Sequence, residues 1–387
     1  MLNFKFKNPT KIVFGKDTIS TIGSEIADFK VKKVLLVYGK GSIFKNGVYD
    51  TAVSSLKNNN IDFLELSGIK ANPLLSKVKE GINIVKENNI DGILAIGGGS
   101  VIDSSKAISA GACYENDVWE LFEGNGKLLN ALPVFTILTL SATGSEMNFG
   151  GVITNELEGK KWAFGSPLLY PKVSIIDPSI QFTLPKIQTV NGAVDIITHV
   201  FEAYFDGVKN TDMIDELCEG IIRTVIKHSK ILITDSKNYN SRCELAWAST
   251  LALNGLTGVG RHGDWASHDI EHSLSVFNDI SHGSGLAIIM PAWMKYVYTC
   301  DTAKFAKMAK NIFNIQGDNN ETLALNGINE LQNFYKYLGA PTTLKEVGVK
   351  FEDINTIANN ASLLSPMGSL KKLEKQDIQK ILQIAFE

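Results

Sequence analysis

Three apolar runs in the first quarter of the chain constrain its fold more than any other feature. The runs are VLLVY, FLEL and GILAIG, and they start at Val34, Phe63 and Gly92. Helical patterns over residues 48–56 and 75–85 separate them. Strands that lack polar alternation and are joined by helices form parallel sheets covered on both faces. We therefore predict an α/β domain whose parallel sheet is flanked by helices.

Shorter β-elements are predicted on either side of these runs. Phe4 and Phe6, and then Ile12 and Phe14, recur at every second position, which predicts a short two-stranded unit that ends at Gly15. Residues 151–164 contain two β-prone segments around a polar turn and predict a hairpin. Residues 173–177 predict the last strand, which the following proline ends.

Helical periodicity dominates the second half of the chain. Apolar residues recur at spacings of three and four over residues 213–226, 303–312 and 377–386. With 387 residues, the chain exceeds the size at which one hydrophobic core usually stops growing. We therefore predict two domains, an α/β domain over residues 1–180 and an all-helical domain over residues 181–387.

Charge and cysteine content exclude several classes of partner. The 38 Lys and Arg residues nearly balance the 41 Asp and Glu residues, and no basic block is present, so nucleic acid and anionic membrane surfaces are not expected partners. The sequence has no apolar run of membrane-span or signal-peptide length. Its four cysteines are scattered, as is typical of reduced thiols, so we expect a cytoplasmic protein.

Three of the six histidines stand close together in the second half of the chain. His268 and His272 are four residues apart and would share one helix face, while His282 would approach from the next segment. Asp195 and His199 repeat the same spacing. One carboxylate and several imidazoles suit a divalent first-row metal. The alternative is that these are polar helix residues with hydrogen-bonded partners.

A glycine turn after the third apolar run is a candidate phosphate site. Gly98, Gly99 and Ser100 join this run to a predicted helix whose Asp103 is a further candidate binding residue of the same site. Unblocked backbone N–H groups and the positive end of the helix would then face an anion, which favours a pyrophosphate seat. The alternative is a tight strand-to-helix turn without a ligand.

Two further segments follow predicted strands. The turn from Gly39 to Ser42 lacks the third glycine of dinucleotide-binding turns, because Phe44 stands there, and is a weaker signal alone. Thr139 and Thr143 lie where a parallel strand ends and could contact a nicotinamide or its ribose. For Thr143, capping of the next helix is an equally good interpretation.

Several motifs together resemble the iron-containing (group III) alcohol dehydrogenases, most closely their branch of butanol dehydrogenases and broad-range aldehyde reductases. The similarity spans nearly the whole chain. The motifs are IVFG at 12–15, VYGKGS at 37–42, AIGGGSVIDSSKAI at 95–108, ATGSEMN at 142–148, DIITHVFEAYF at 195–205, HDIEHSL at 268–274 and HGSGLAI at 282–288.

The resemblance implies a role for each candidate residue. Asp195, His199, His268 and His282 match the family's metal ligands, for Fe(II) or alternatively Zn(II). His272 matches a residue near the nicotinamide that is a candidate for proton transfer. The coenzyme would contact Gly98, Gly99 and Ser100 with its pyrophosphate, Thr139 and Thr143 on the nicotinamide side, and Lys161 near the ribose.

One departure from the family bears on the choice of coenzyme. Many NAD-preferring relatives have Asp where this chain has Gly39. Without that carboxylate, a 2′-phosphate would have room beside Ser42 and either Lys40 or Lys45. The turn therefore favours NADP(H), with NAD(H) as the alternative.

The expected function is hydride transfer between NAD(P)H and a small aliphatic aldehyde or primary alcohol, such as butyraldehyde or butanol, by a cytoplasmic homodimer. The α/β domain would bind the dinucleotide, and the helical domain would bind the metal. Three alternatives stay open: a glycerol-type polyol dehydrogenase, a lyase that resembles dehydroquinate synthase, and a metal-dependent hydrolase.

Overall fold

A six-stranded parallel sheet contains the three apolar runs. The structure is a computed structural model that describes all 387 residues. The strands are β1 (Lys11–Phe14), β2 (Lys33–Tyr38), β3 (Asp62–Leu66), β4 (Gly92–Gly97), β5 (Val134–Leu138), β6 (Gly150–Asn155), β7 (Lys160–Gly165) and β8 (Val173–Ile176). Strands β6 and β7 form the predicted antiparallel hairpin, and the other six form the sheet in the order β1-β8-β5-β4-β2-β3.

Helices cover both faces of this sheet. They are α1 (Ile22–Ala27), α2 (Ser42–Lys45), α3 (Val48–Asn58), α4 (Leu75–Glu87), α5 (Gly99–Ala112) and α6 (Trp119–Phe122). Side chains alternate along β2, so Leu35 and Val37 enter one hydrophobic cluster while Val34 and Leu36 enter another on the opposite face. Because both faces are buried, the strand needs no polar alternation, and the predicted α/β architecture is confirmed.

The rest of the chain is helical, as predicted. Its helices are α7 (Lys186–Tyr204), α8 (Asp212–Leu232), α9 (Tyr239–Ala252), α10 (Ala266–Asn278), α11 (His282–Val297), α12 (Thr302–Phe313), α13 (Asn320–Leu338), α14 (Ile354–Ala361) and α15 (Lys375–Phe386). None of the helices is both long enough and apolar enough to cross a membrane.

The chain divides into two compact units. The sheet unit comprises Lys7–Leu184 and Ser236–Thr250, and the helical unit comprises Met1–Phe6, Pro185–Asp235 and Leu251–Glu387. The predicted division after residue 180 lies a few residues earlier than this. The sequence does not predict that Met1–Phe6 belongs to the helical unit or that Ser236–Thr250 belongs to the sheet unit.

The predicted two-stranded unit at the N-terminus is wrong. Residues 1–10 form no strand, and Phe4 and Phe6 are exposed. Strand β1 instead pairs in parallel with β8, far along the chain. Alternation of apolar and polar residues fits any extended segment, and it does not reveal whether a partner strand is present.

Candidate metal centre and coenzyme site

Three helices of the helical unit bring the predicted metal ligands together. Asp195 and His199 lie one turn apart on α7, His268 and His272 lie one turn apart on α10, and His282 is the first residue of α11. The four-residue spacing places each pair on one face of its helix, as the sequence predicts.

Two glycines allow these helices to approach closely. A Cβ atom on Gly283 would lie 2.3 Å from the Asn191 carbonyl oxygen of α7, and one on Gly285 would lie 2.7 Å from the Glu271 Cγ atom of α10. A larger residue at either position would push the start of α11 away from its neighbours. Gly283 and Gly285 therefore keep the His282 imidazole near Asp195.

The Asp195 carboxylate is the centre of the cluster. Its Oδ1 atom lies 3.4 Å from His199 Nδ1, 3.8 Å from His268 Nε2 and 3.6 Å from His282 Nε2. Donor atoms of Asp195, His268 and His282 all lie within 4.8 Å of one another. The His199 ring lies beside this group and stacks on the His268 ring at 4.7 Å.

Unpaired buried atoms in this cluster fit a cation. Asp195 Oδ1, His199 Nδ1 and His268 Nε2 are buried and have no hydrogen-bond partner. Leaving buried polar atoms unpaired costs free energy, so such groups in proteins almost always have a partner or coordinate a metal. One carboxylate oxygen and three imidazole nitrogens form a donor set that suits Fe(II) or Zn(II).

Two buried glutamates, which the sequence analysis missed, hold the imidazoles. His268 Nδ1 lies 2.8 Å from Glu202 Oε1, and His282 Nδ1 lies against Glu271 Oε2. When Nδ1 donates its hydrogen to a carboxylate, the Nε2 lone pair is left for a metal. Each glutamate follows a predicted ligand histidine by three residues, a spacing that could have identified it.

Electrostatics keep the Asp195 carboxylate charged and the His199 ring neutral, the states in which both can bind a metal. Burial raises the pKa of Asp195, but the three surrounding imidazoles outweigh this effect and lower the pKa to about 2. Burial lowers the pKa of His199 to about 3, despite the attraction of Asp195, so this ring is neutral at pH 7. Burial would also lower the pKa of His268, but Asp195 and Glu202 raise it to about 9. A metal would have to displace that proton.

His272 lies beside the cluster rather than at its centre. Its ring is 5.6 Å from the His282 ring and 6.5 Å from the His268 ring, and the residue is buried. Its donor atom also lies within 4.8 Å of donor atoms of Glu271 and His282. His272 therefore adjoins the Asp195 cluster and, with Glu271 and His282, forms a second group of donor atoms close enough to share a metal.

In the sheet unit, the glycine turn of Gly98, Gly99 and Ser100 lies directly after β4. A Cβ atom on Gly99 would lie 2.4 Å from Thr143 Cγ2, and one on Gly98 would lie 3.1 Å from Leu140 Cβ. The backbone N–H of Thr139 donates to the Gly97 carbonyl oxygen. The structure thus brings the turn and the predicted threonines together, and Gly99 provides the space that Thr143 needs.

Asp103 and Lys161 have structural partners in the sheet unit. Asp103 accepts hydrogen bonds from Ser145 Oγ at 2.6 Å and from the Val152 N–H at 3.0 Å, so its carboxylate anchors the hairpin to α5. Lys161 is buried, and its Nζ atom donates to Asn72 Oδ1 at 2.9 Å. Neither contact was expected from the sequence.

The turn from Gly39 to Ser42 is open to solvent and has exposed lysines nearby. Strand β2 ends just before Gly39, and Lys40, Ser42 and Lys45 are exposed. The nearest carboxylate on the following strand is that of Glu65, and both of its oxygens accept hydrogen bonds from tyrosine hydroxyls, those of Tyr38 and Tyr49. Burial and the Glu65 contact raise the pKa of Tyr38 to about 12, so that hydroxyl remains a donor.

Comparison with known protein families matches nearly the whole chain to one family. The iron-containing alcohol dehydrogenase pattern matches residues 9–178. The C-terminal pattern of the Fe-containing alcohol dehydrogenase family matches residues 189–386.

Individual proteins show the same similarity. The chain is 44% identical to a probable NADH-dependent butanol dehydrogenase of Bacillus subtilis, over all of both chains. It is 36% identical to the NADPH-dependent aldehyde reductase YqhD of Escherichia coli, over 98% of this chain and 95% of that protein. The crystal structure of NADH-dependent butanol dehydrogenase A from Thermotoga maritima is 51% identical and superposes with a TM-score of 0.98, over 100% of this chain and 99% of that chain.

Proposed function

Because this chain belongs to the iron-containing alcohol dehydrogenase family, we propose that it transfers a hydride between NAD(P)H and small aliphatic aldehydes such as butyraldehyde. The reverse reaction would oxidise the corresponding primary alcohol. The observation that carries this proposal is the cluster of buried, unpaired donor atoms around Asp195. Relatives named as butanol dehydrogenases and an aldehyde reductase support the substrate class.

We propose that Asp195, His199, His268 and His282 hold the metal. When bound, Fe(II) or Zn(II) would supply a Lewis acid that stabilises negative charge on the substrate oxygen. Glu202 fixes the orientation of the His268 ring through the bond to Nδ1. The same arrangement at Glu271 orients His282. Burial of the cluster limits the access of water, which strengthens these electrostatic contacts.

Coenzyme binding is assigned to the sheet unit. The N–H groups of Gly99 and Ser100 open helix α5, where the positive end of the helix would bind the pyrophosphate. Thr139 and Thr143 would contact the nicotinamide side, and His272 would pass a proton to or from the substrate oxygen. The bond from Lys161 to Asn72 would hold this lysine in place for the ribose.

We further propose that the turn from Gly39 to Ser42 accepts NADPH as well as NADH. Gly39 carries no carboxylate that would repel a 2′-phosphate, and Lys40 and Lys45 lie exposed nearby. The names of the relatives include both NADH-dependent and NADPH-dependent enzymes. Attraction to the lysines would make NADPH the tighter ligand, and added salt would reduce that advantage.

The test is reduction of butyraldehyde by protein reconstituted anaerobically with Fe(II), followed as loss of the absorbance of reduced nicotinamide, with NADH and NADPH compared. The proposal expects turnover with both coenzymes and none after chelation of the metal. Faster oxidation of glycerol than reduction of butyraldehyde would instead indicate a polyol dehydrogenase. Elimination of phosphate without net coenzyme turnover would indicate a lyase, and failure to bind either coenzyme would indicate a hydrolase.

A further inference from the structure

Trp265 has an unusual backbone conformation next to the metal cluster. Its φ angle is 68°, in the left-handed region that bulky side chains rarely adopt. The other eight non-glycine residues with positive φ are Asn, Asp or Lys. A tryptophan in this region is strained, and it persists only where its surroundings hold it in place.

Backbone hydrogen bonds and close packing hold Trp265 in this conformation. Its backbone N–H donates to Glu202 Oε2 at 2.6 Å, on the same carboxylate that orients the His268 ring. The N–H of the preceding Asp264 donates to the Glu202 backbone oxygen. A Cβ atom on Gly263 would lie 2.4 Å from the indole Nε1 atom, so the ring occupies the space beside this glycine.

The indole covers one side of the cluster. Its centroid lies 5.5 Å from the His268 ring and 6.3 Å from the His199 ring, edge to face in both cases. His199 and His268 are each only 5% exposed, whereas Trp265 itself is 36% exposed. The side chain of His282 is 24% exposed, so solvent reaches the cluster on that side. Part of the indole surface is therefore open to solvent while its ring lies next to two of the imidazoles of the cluster.

We propose that Trp265 determines which aldehydes this enzyme accepts, by forming an apolar wall along which the alkyl chain of the substrate lies. This inference rests on the proposed function and adds the basis of its selectivity. A linear chain would lie against the rigid indole, while a chain branched near the carbonyl would collide with it. Small differences in chain size against such a wall change catalytic efficiency about tenfold or more.

The test compares butyraldehyde with 2-ethylbutyraldehyde in the holoenzyme carrying Trp265→Ala. The ratio of kcat/KM for the branched aldehyde to that for the linear one should rise about tenfold. Trp265→Gly should produce the same change and preserves the fold more safely, since glycine adopts positive φ without strain. The matched control is Trp247→Ala in α9, an equally exposed tryptophan that packs on Phe14 in the sheet unit and should leave the ratio unchanged.

Calorimetric binding of the unreactive amides butyramide and 2-ethylbutyramide provides a second measurement that does not depend on turnover. The ratio of their dissociation constants should shift in the same direction in both Trp265 variants. Equal losses for linear and branched compounds, with unchanged ratios, would show that Trp265 has only a structural role. If the wild-type protein reduces no aldehyde, the proposed function fails, and the amide ratios still decide the role of Trp265.

Discussion

Replacement of Glu202 by Gln tests whether the buried carboxylate orients a metal ligand. One oxygen of Glu202 accepts from His268 Nδ1 at 2.8 Å and from the His268 N–H at 3.2 Å, and the other accepts from the Trp265 N–H at 2.6 Å. All these partners are donors. In either orientation of the glutamine amide, its NH2 group would face a donor.

The expected loss follows from these contacts. Removing a hydrogen-bonded carboxylate behind a metal-ligating histidine typically weakens metal binding about 10- to 100-fold. This factor corresponds to roughly 1.4–2.7 kcal/mol. The buried donor left unpaired would also lower the free energy of unfolding by about 1–3 kcal/mol, because its hydration is not replaced.

The assay is competition for Fe(II) or Zn(II) between the protein and a chelator of known affinity. The matched control is Glu219→Gln, since Glu219 is equally buried but bonds Tyr204 and Asn311 instead of a histidine. The control should keep wild-type metal affinity even if its stability falls. Equal metal affinity in Glu202→Gln and wild type would refute the assigned role of the carboxylate.

Three further predictions concern the coenzyme turns and the metal centre. Gly99→Ala would place a Cβ atom 2.4 Å from Thr143 and should destabilise the protein by about 1–3 kcal/mol in urea unfolding, with weaker coenzyme binding; the control Gly220→Ala in α8, where the nearest atom is 4.0 Å from the added Cβ, should do neither. Because the pKa of His268 is raised to about 9, metal affinity should rise about tenfold per pH unit up to that pH, with release of one proton measured by calorimetry in different buffers; constant affinity would contradict the raised pKa. Gly39→Asp should shift the ratio of kcat/KM toward NAD(H); an unchanged ratio would exclude Gly39 as its determinant.

Local patterns predicted much of the fold. Apolar runs without alternation predicted buried parallel strands, because burial on both faces removes the need for polar residues. The four-residue spacing of Asp195 and His199, and of His268 and His272, predicted shared helix faces. The predicted family is confirmed by matches that together cover most of the chain.

Features that depend on distant contacts were not predicted. The closeness of α7, α10 and α11 depends on the missing Cβ atoms of Gly283 and Gly285, whose neighbours lie on other helices. The partners of Asp103 are Ser145 and, in the hairpin, Val152, both more than 40 residues further on. A sequence pattern shows which face a side chain takes, but it does not show which other segment packs there.

Transfer of deuterium to butyraldehyde from NADPH or NADH that carries deuterium at both positions of C4 tests the central claim most directly. With the Fe(II)-loaded protein, mass spectrometry should find one deuterium atom at C1 of the butanol formed, and none should appear when Asp195→Ala removes the central carboxylate. Butanol that is unlabelled, or labelled only from deuterated water, would contradict hydride transfer at this site.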